Sequence, residues 1–391
     1  MPPRLSLKKF LSTARTALTG PAPQRHVPLT FVVGNESADL DSLCSAVICA
    51  YIRSNSPPHT LHIPLSNLPR ADLALRTEMT DVLKHAGLVP EDLLTLSELP
   101  DLKPEETQWV LVDHNALTGE LKKFQNQVVG VVDHHVDEKV TKDDVVPRVI
   151  EPCGSCTSLV ISEYRSAWDA FPPLDKDDST AATEDDRLAR LSLAPVLIDT
   201  INLTEESKVK EKDLLAVDYL ESKILDKHFN QKAFFDEVTA VKEDISKLSF
   251  RDIFRKDYKE WEEAGLTLGI CCVVQNFDYL LDKAGEPGVL IKDLADWAEE
   301  RKLDVVSVMT TSNPGGEFQR HLLVWGVTDK GLEAAYKFPE IGKRLQLEQW
   351  RDGLLDDGKK RLAWRQKDLT SSRKQVGPLL REALKAAGGS S

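Results

Sequence analysis

Short apolar runs alternate with helical patterns through the first half of the sequence. Runs without polar alternation are typical of parallel strands that are covered on both faces. The alternation therefore predicts an α/β domain, with a mainly parallel sheet flanked by helices. The strands are expected at Phe31–Gly34, Leu61–Leu65, Trp109–Asp113 and Val128–Asp133, and helices at Asp41–Arg53 and Asp72–Ala86.

The pattern changes at Asp169–Asp186, which carries two prolines, seven acidic residues and little apolar content. Such a composition predicts an exposed acidic loop rather than a packed element. Helical spacing returns at Arg187–Leu203 and again at Lys212–Leu225. The loop is therefore interpreted as an insertion between two helices of the first domain.

A second, smaller domain is predicted after a charged helical stretch at Phe234–Glu263. At 391 residues the chain exceeds one ordinary hydrophobic core. We expect domains at residues 1–228 and 229–391, the second being α/β with a mixed sheet that closes over the cleft. Its strands are expected at Leu266–Gln275, Val305–Thr311 and His321–Val327, and a helix at Ile291–Arg301.

Composition excludes several classes of protein. A net charge of -13 argues against a nucleic-acid-binding surface. No apolar run approaches the roughly 20 residues that cross a bilayer. Six cysteines do not form a disulfide framework, and the pair Cys153 and Cys156 is interpreted as structural thiols. The first 35 residues contain no acid and have an amphipathic pattern, so mitochondrial targeting stays open beside the expected cytoplasmic location.

Acidic and histidine residues follow three predicted strands. Asp39 and Asp41 follow the strand at Phe31–Gly34, and Asp113 ends the strand at Trp109–Asp113. His134 and His135 follow the strand at Val128–Asp133. Carboxyl ends of parallel strands meet at one edge of a sheet, where ligands bind. A further carboxylate, Asp199, falls in an apolar helical run, and a buried carboxylate is costly unless it is paired or binds metal. Oxygen-rich ligation with imidazole favours Mg²⁺ or Mn²⁺ and admits Co²⁺ or Zn²⁺.

The segments NESADLDS, VDHN, VDHH and LIDT resemble, in order, the four motifs of the DHH phosphoesterase superfamily. The similarity is strongest to eukaryotic exopolyphosphatases, with prune-type phosphodiesterases and family II inorganic pyrophosphatases as relatives. Near the C-terminus, Ser372-Arg373-Lys374 is similar to the SRK substrate motif of these branches. Asp257-Tyr258-Lys259 is similar to their other lysine-bearing motif. The resemblance extends over nearly the whole chain.

The resemblance implies a role for each of these residues. It implies that Asp113 bridges two metal ions and that Asp39 binds one of them. The other ion is expected on Asp41, His134 and Asp199. His135 is expected to face the substrate, as a phosphate donor or general acid, with His114 and Asp133 supporting the ligands through hydrogen bonds. The implied catalytic residues are Asp113, His135 and Asp41.

The second domain is implied to hold phosphate oxygens through Ser372, Arg373, Lys374 and Lys259. Arg320 and His321, which follow the Gly315-Gly316 turn, are weaker candidates to line the same site. One departure concerns the metals. Family II pyrophosphatases have a metal-binding histidine where this chain has Asn35, so any contribution of Asn35 to a metal is expected to be weak or indirect.

These inferences predict a metal-dependent exopolyphosphatase that releases orthophosphate from the end of inorganic polyphosphate. Two metal ions would activate water for attack on the terminal phosphorus. One alternative is a prune-like enzyme that acts on short polyphosphates, phosphodiesters or nucleoside polyphosphates. A weakly catalytic scaffold and a nuclease of the same superfamily are further alternatives. No membrane or nucleic-acid partner is expected, and the chain is expected to be a monomer.

Overall fold

The chain forms two compact units, Met1–Val241 and Lys242–Ser391. The computed structural model describes residues 3–175 and 180–388. The sequence places the domain boundary between residues 228 and 229, whereas the structure keeps one further helix with the first unit. Within the described residues, every helix is too short or too polar to span a bilayer.

The first unit is built on a five-stranded, fully parallel sheet with the strand order β2-β1-β3-β4-β5. The four predicted strands are present, and β5 is an additional edge strand. All five residues of β1 are buried, as the unbroken apolar run predicts. The strands are β1 Leu29–Val33, β2 His62–Leu65, β3 Thr107–Val112, β4 Val128–Asp133 and β5 Arg148–Ile150.

Among the described residues of the first unit, eight α-helices accompany this sheet. The predicted helix at Asp72–Ala86 is two helices, α3 and α4, because the chain turns between Leu73 and Thr77. The helices are α1 Leu7–Thr19, α2 Leu40–Asn55, α3 Arg70–Leu73, α4 Thr77–His85, α5 Cys156–Asp169, α6 Ala181–Asp199, α7 Glu211–Glu221 and α8 Gln231–Glu243.

The expected acidic loop at Asp169–Asp186 is wrong from Ala181 onward, where α6 begins. Glu184 is almost fully buried and accepts a hydrogen bond from the backbone of Leu7. Asp185 pairs with the buried guanidinium of Arg4 at 2.7 Å. Residues 176–179 lie outside the described residues. The acids at the end of the segment therefore anchor the N-terminus of the chain instead of facing solvent.

The amphipathic N-terminal segment forms α1, and its apolar face belongs to the core. Phe10 is 1% exposed and meets the ring of Tyr51 edge-on at 5.3 Å. Ser6 caps the helix by accepting a hydrogen bond from the backbone of Lys9. The segment thus contributes to the stability of the first unit, whatever its role in targeting.

The second unit contains a six-stranded mixed sheet with the order β10-β11-β9-β8-β7-β6, in which only β7 and β8 are parallel among the described residues. This confirms the predicted mixed α/β fold. Its elements are α9 Phe250–Lys256, β6 Tyr258–Glu263, β7 Leu266–Val273, α10 Phe277–Ala284, α11 Pro287–Glu300, β8 Val305–Thr310, β9 His321–Gly326, α12 Asp329–Ile341, β10 Leu347–Gln349, β11 Arg361–Gln366 and α13 Arg373–Gly388.

The prediction of a helical stretch at Phe234–Glu263 is wrong for Tyr258–Glu263, although α8 and α9 fall within the stretch. The chain forms the short helix α9 and then the edge strand β6, which pairs antiparallel with β7. Charged residues are common on edge strands because they discourage pairing with other chains. The charge of this segment therefore reflects an exposed sheet edge and not a solvated helix.

We expect Phe10→Ala to lower the unfolding free energy of the first unit by about 3–5 kcal/mol, because it leaves a cavity against Tyr51. Urea denaturation followed by tryptophan fluorescence measures the change. Lys8→Ala on the exposed face of the same helix is the control and should change stability little. Equal effects of both variants would show that α1 is not packed as described.

Candidate metal centre

The strand order brings separate motifs together at one edge of the parallel sheet. β1 and β3 are neighbours although β2 lies between them in sequence, so the chain reverses direction across the sheet at this point. Binding sites of open α/β sheets occur at such a switch point. Asn35 follows β1 and Asp113 follows β3, and the Nδ2 of Asn35 donates to the Oδ2 of Asp113 at 2.9 Å.

Asp113 is the centre of this edge. It is 2% exposed and has a left-handed backbone, with φ of 61°. Its Oδ2 also accepts a hydrogen bond from the Ser42 hydroxyl at 2.6 Å. Its Oδ1 accepts no hydrogen bond from the described residues and instead faces Nε2 of His134 at 3.1 Å and Nδ1 of His135 at 3.6 Å.

The tautomer of His134 determines what Asp113 faces. Nδ1 of His134 lies 3.0 Å from the carbonyl oxygen of Cys153. A carbonyl only accepts hydrogen bonds, so Nδ1 carries the proton. In the neutral ring, Nε2 then presents a lone pair toward the carboxylate oxygen. Two electron-rich atoms at this distance require a proton or a cation between them.

His135 is held differently from its neighbour. Its Nδ1 and its backbone N–H both lie within hydrogen-bond distance of Oδ1 of Asp133, at 2.8 and 3.1 Å. The other oxygen of Asp133 accepts from Nδ2 of Asn115 at 2.6 Å. The His135 side chain is 28% exposed, against 7% for His134. His135 is therefore the more accessible imidazole, and Asp133 fixes its orientation as expected.

The pKa values of the two buried carboxyls follow from these contacts. Burial alone would raise the pKa of Asp113, but the nearby His134 and His135 lower it well below its usual range. Burial opposes ionisation of Asp133 too, and the hydrogen bond and charge of His135 lower its pKa. Both groups are therefore charged at neutral pH.

The residues present fit a divalent metal ion. Asp113, His134 and His135 each offer a ligand atom, and these atoms lie within 4.8 Å of one another. An unoccupied electron pair on the buried Oδ1 of Asp113 and the lone pair on Nε2 of His134 face the same space. A metal ion would satisfy both atoms, and the hydrogen bond of His134 to a carbonyl is a common arrangement for a metal-binding histidine.

Asp41 is placed outside this group of three and has a structural role of its own. It is 3% exposed, and its Oδ1 accepts hydrogen bonds from Ser155 Oγ at 2.8 Å and from the backbone and hydroxyl of Thr157 at 2.9 and 2.7 Å. Its Oδ2 accepts from the backbone of Cys156 at 2.6 Å. Asp41 thus neutralises the N-terminus of α5, where negative charge is favoured.

The charges of the other carboxylates of the predicted metal set act on one thiol in α2. Asp39 is the N-cap of α2 and accepts from the backbone of Ser42 at 3.0 Å. Asp199 is the last residue of α6 and is half-buried, so it does not lie inside the helix as expected. Burial first, and then the charges of Asp41, Asp39 and Asp199, raise the pKa of Cys44 well above its ordinary value. These three carboxylates therefore act on the same small volume.

Several residues that position the site were not identified from the sequence. Gly34 is one, because a Cβ there would lie 2.6 Å from that of Ser42 and would displace the hydroxyl that holds Asp113. Cys156 is another. Its sulfur lies 3.1 Å from the backbone nitrogen of Asp113 and 3.2 Å from the carbonyl oxygen of Val132. Arg76 donates to the carbonyl oxygen of Ala38 at 2.7 Å and so fixes the loop before α2.

His114 does not give the support that was expected of it. Its Nδ1 lies 2.9 Å from the carbonyl oxygen of Val112, and its Nε2 has no hydrogen-bond partner among the described residues. Neither nitrogen hydrogen-bonds to a candidate ligand.

Three of the predicted substrate cations of the second unit act electrostatically on one thiol. Burial raises the pKa of the Cys272 thiol to about 11, while the charges of Arg373, Arg320 and Lys259 act on it in the opposite direction. Arg373 donates to Oδ1 of Asp257 at 2.7 Å. Lys374 is exposed at the start of α13, beside Arg373.

Two other candidates of this unit have structural contacts. The hydroxyl of Ser372 donates to Oε1 of Gln375 at 3.0 Å, in the first turn of α13. The prediction that His321 lines a site is wrong. It is 4% exposed and packs against Phe277 and Trp350 at 5.1 and 5.9 Å, and burial lowers its pKa to about 4. Arg320 is also buried, and its Nε donates to the carbonyl oxygen of Leu369 at 2.8 Å.

Comparison with known proteins identifies two domains. Residues 30–183 match the DHH family, N-terminal domain, and residues 236–383 match the DHHA2 domain. The chain is 32% identical to a Schizosaccharomyces pombe protein named "Putative exopolyphosphatase", over 98% of this chain and 96% of that protein. It is 26% identical to exopolyphosphatase PRUNE1 of Rattus norvegicus, over 97% of this chain and 80% of the relative.

More distant similarities involve pyrophosphatases. The chain is 24% identical to a manganese-dependent inorganic pyrophosphatase of Methanothrix thermoacetophila, over 72% of this chain and 80% of that protein. A solved structure described as "Crystal structure of Methanococcus jannaschii putative family II inorganic pyrophosphatase" superimposes with a TM-score of 0.61 at 20% identity. That comparison covers 91% of this chain and 99% of the other, and it shows a shared fold.

The contacts of Asp41 predict a metal-independent effect on stability. In chelator, Asp41→Ala should lower the unfolding free energy of the first unit by about 3 kcal/mol or more, because buried donors of α5 lose a charged acceptor. Asp39→Ala is the matched control and removes an exposed N-cap, which costs about 1 kcal/mol. Urea denaturation in EDTA compares the two. Unchanged metal-free stability in Asp41→Ala would mean that Asp41 serves only as a ligand.

Proposed function

Because this chain belongs to the DHH family, we propose that it is an exopolyphosphatase, which hydrolyses the terminal phosphoanhydride bond of inorganic polyphosphate and releases orthophosphate. The observation that carries the proposal is the buried Oδ1 of Asp113, which faces two imidazole nitrogens and lacks a hydrogen-bond donor among the described residues. Such an atom suits a cation. The similarity to exopolyphosphatases over almost the full length of this chain supports the substrate class.

The enzyme is proposed to use two divalent ions, with Mg²⁺ or Mn²⁺ preferred. Asp113 and His134 would hold metal directly, and Asp39 and Asp199 would complete the set. Asp41 accepts one hydrogen bond at Oδ2, so that atom keeps a lone pair for a metal. When bound, the ions supply Lewis acidity, which lowers the pKa of water and neutralises phosphate charge. Manganese dependence in the named pyrophosphatase relative supports a divalent ion.

Asn35 acts on this site indirectly. Its Nδ2 donates to both the side chain and the carbonyl oxygen of Asp113, at 2.9 and 3.1 Å, and its own oxygen accepts from the backbone of Ser37 at 2.8 Å. The amide is therefore used to orient Asp113. This supports the interpretation that Asn35 contributes weakly to metal binding, in contrast to a histidine.

His135 is proposed to act on the substrate. Asp133 holds its Nδ1, which leaves Nε2 for a phosphate oxygen. A protonated Nε2 donates a hydrogen bond to a phosphate oxygen in the ground state. It can pass its proton to the leaving phosphate as the bond breaks.

The second unit is proposed to bind the phosphate chain. Arg373, Lys259 and Lys374 supply positive charge, with Arg320 and Ser372 as further candidates. Guanidinium groups match phosphate oxygens through paired hydrogen bonds. Asp257 holds Arg373 in one orientation, which reduces the entropy lost on binding.

Phosphate release decides between this function and its alternatives. The substrates are long-chain polyphosphate, tripolyphosphate and pyrophosphate, each with Mg²⁺, Mn²⁺ or EDTA. Metal-dependent release from long chains, with pyrophosphate left intact, is the expected result. Activity confined to tripolyphosphate would indicate the short-chain enzyme, and rapid cleavage of pyrophosphate would contradict the proposal. No release from any substrate would favour a scaffold or a phosphodiester substrate.

Asp113→Ala should lower the turnover of polyphosphate by about a thousandfold or more with either metal, since it removes the central carboxylate. The measurement is the initial rate of phosphate release at saturating metal. Asp143→Ala, which removes a fully exposed aspartate side chain, is the control and should retain the rate. Near-normal turnover in Asp113→Ala would sink the assignment of the metal centre.

Arg373→Ala should raise KM for polyphosphate by about tenfold to a hundredfold, with metal affinity unchanged, because one charge-assisted phosphate contact is lost. Steady-state kinetics and calorimetric Mn²⁺ titration provide the two readings. Arg381→Ala on the same helix removes an arginine that pairs with Glu263 at 2.9 Å, and it should leave KM unchanged. Loss of Mn²⁺ binding in Arg373→Ala would show that the residue is misplaced in this scheme.

A further inference from the structure

A second group of metal-type ligands lies in the first unit, on helices that contribute nothing to the centre at Asp113. Asp81 and His85 are on α4, and Glu237 is on α8. Each offers one ligand atom, and these atoms lie within 4.8 Å of one another. We call these three residues the α4–α8 cluster.

The two helices run antiparallel, and one face of α4 carries every contact used here. Thr77, Asp81 and His85 are spaced by four residues, so they share a face of the helix. At one end, the hydroxyl of Thr77 donates to the carbonyl oxygen of Val241 at 2.9 Å. At the other, the ring of His85 meets that of Phe234 edge-on at 5.1 Å. The cluster lies between these two contacts.

Asp81 contains a buried polar atom that the protein leaves unsatisfied. The residue is 8% exposed, and its Oδ2 has no hydrogen-bond partner among the described residues. Its Oδ1 accepts a hydrogen bond from Nζ of Lys84 at 3.3 Å, and this lysine side chain is 68% exposed. A buried acceptor without a donor costs about 1–3 kcal/mol. This atom therefore calls for a ligand independently of the cluster's composition.

His85 and Glu237 supply the rest of a coordination shell. Nε2 of His85 lies 3.3 Å from a carboxylate oxygen of Glu237. In a tetrahedral zinc site with bonds of about 2.1 Å, ligand atoms are roughly 3.4 Å apart. Movements of about 1 Å in the side chains would bring all three atoms to that spacing. The Glu237 side chain is 52% exposed, so water can fill the remaining position.

The donor set selects the type of ion. One of the three protein ligands is an imidazole, so the cluster is poorer in oxygen than the carboxylate-rich centre at Asp113 and suits Mg²⁺ and Ca²⁺ less, and no thiolate is present to select a softer ion. Zn²⁺ binds more tightly than Mn²⁺ to nitrogen and oxygen ligands of this kind. We propose that Asp81, His85 and Glu237 form an accessory Zn²⁺ site that fastens α8 to α4.

The site would stabilise the C-terminal end of the first unit. The division after Val241 falls in the last turn of α8, and this helix fully buries only Phe234 and Val238. A helix with so small an apolar face gains relatively more from a metal crosslink than a core helix does. Zn²⁺ that binds only the folded chain stabilises it, and this stabilisation rises with the Zn²⁺ concentration relative to Kd.

The test uses the full chain and two single variants at adjacent positions of α8. Glu237→Gln removes a ligand, whereas Asp236→Asn makes the same charge change at an adjacent exposed residue that pairs with Lys232. After equilibration with Zn²⁺ and gel filtration, metal is counted by mass spectrometry. We expect the wild type and Asp236→Asn to retain one more Zn²⁺ per chain than Glu237→Gln. We also expect Glu237→Gln to lower Zn²⁺ affinity at this site at least tenfold while Mg²⁺-dependent turnover is unchanged.

A second variant covers the case in which the first one misfolds. Asp81→Asn keeps the shape of the side chain and removes its negative charge. In EDTA it should unfold at the same or a higher urea concentration than the wild type, and added Zn²⁺ should raise its midpoint less. Equal Zn²⁺ retention and equal Zn²⁺-induced stabilisation in all four proteins would overturn the proposal. Neither reading depends on catalysis, so a failure of the exopolyphosphatase assignment would leave this test intact.

Discussion

The carboxylate of Asp113 occupies a left-handed backbone position directly after β3, where Asn35 and Ser42 hold one oxygen and leave the other facing two imidazole rings. A buried charge in this position requires compensation. The neighbouring structure supplies part of it, since hydrogen bonds fix Asp113 from the ends of β1 and α2. The remaining negative potential is directed at a space that also receives the lone pair of His134. Strand order, loop conformation and histidine tautomer together orient the ligand atoms so that a cation can bind at one point.

The position of this site could be predicted because it depends on strand ends. Each apolar run of the first half ends at a chemically active residue, and parallel strands bring their carboxyl ends to one edge. The sequence therefore identified Asp113, His134 and His135 as neighbours, and the structure places their ligand atoms within 4.8 Å of one another. It did not reveal Cys156 or Gly34. Their roles depend on a thiol that bridges two backbone groups and on a close approach between β1 and α2, which no local pattern records.

Asp39 and Asp41 show how far a motif can be interpreted without coordinates. They are two residues apart, and the sequence gives them equivalent chemistry. In the structure one is an exposed helix cap and the other is buried against the N-terminus of α5. That partner is more than a hundred residues away in sequence, so only the tertiary structure reveals it. The edge strand β6 was missed for a related reason. Its charged residues match a solvated helix locally, and its pairing with β7 is what makes it a strand.

The proposed binding of a polyanion by an acidic chain is opposed by long-range electrostatic repulsion. The net charge of -13 repels polyphosphate at long range, but at physiological ionic strength charges beyond about 8 Å are largely screened. Binding then depends on the groups next to the substrate. The charges of Arg373, Arg320 and Lys259 each act to lower the pKa of the Cys272 thiol, so their positive potentials overlap at this point of the second unit. Asp257 pairs with Arg373 and neutralises part of this positive charge. For the proposed phosphate-polymer substrate, the local arrangement of cations therefore matters more than the overall charge of the chain.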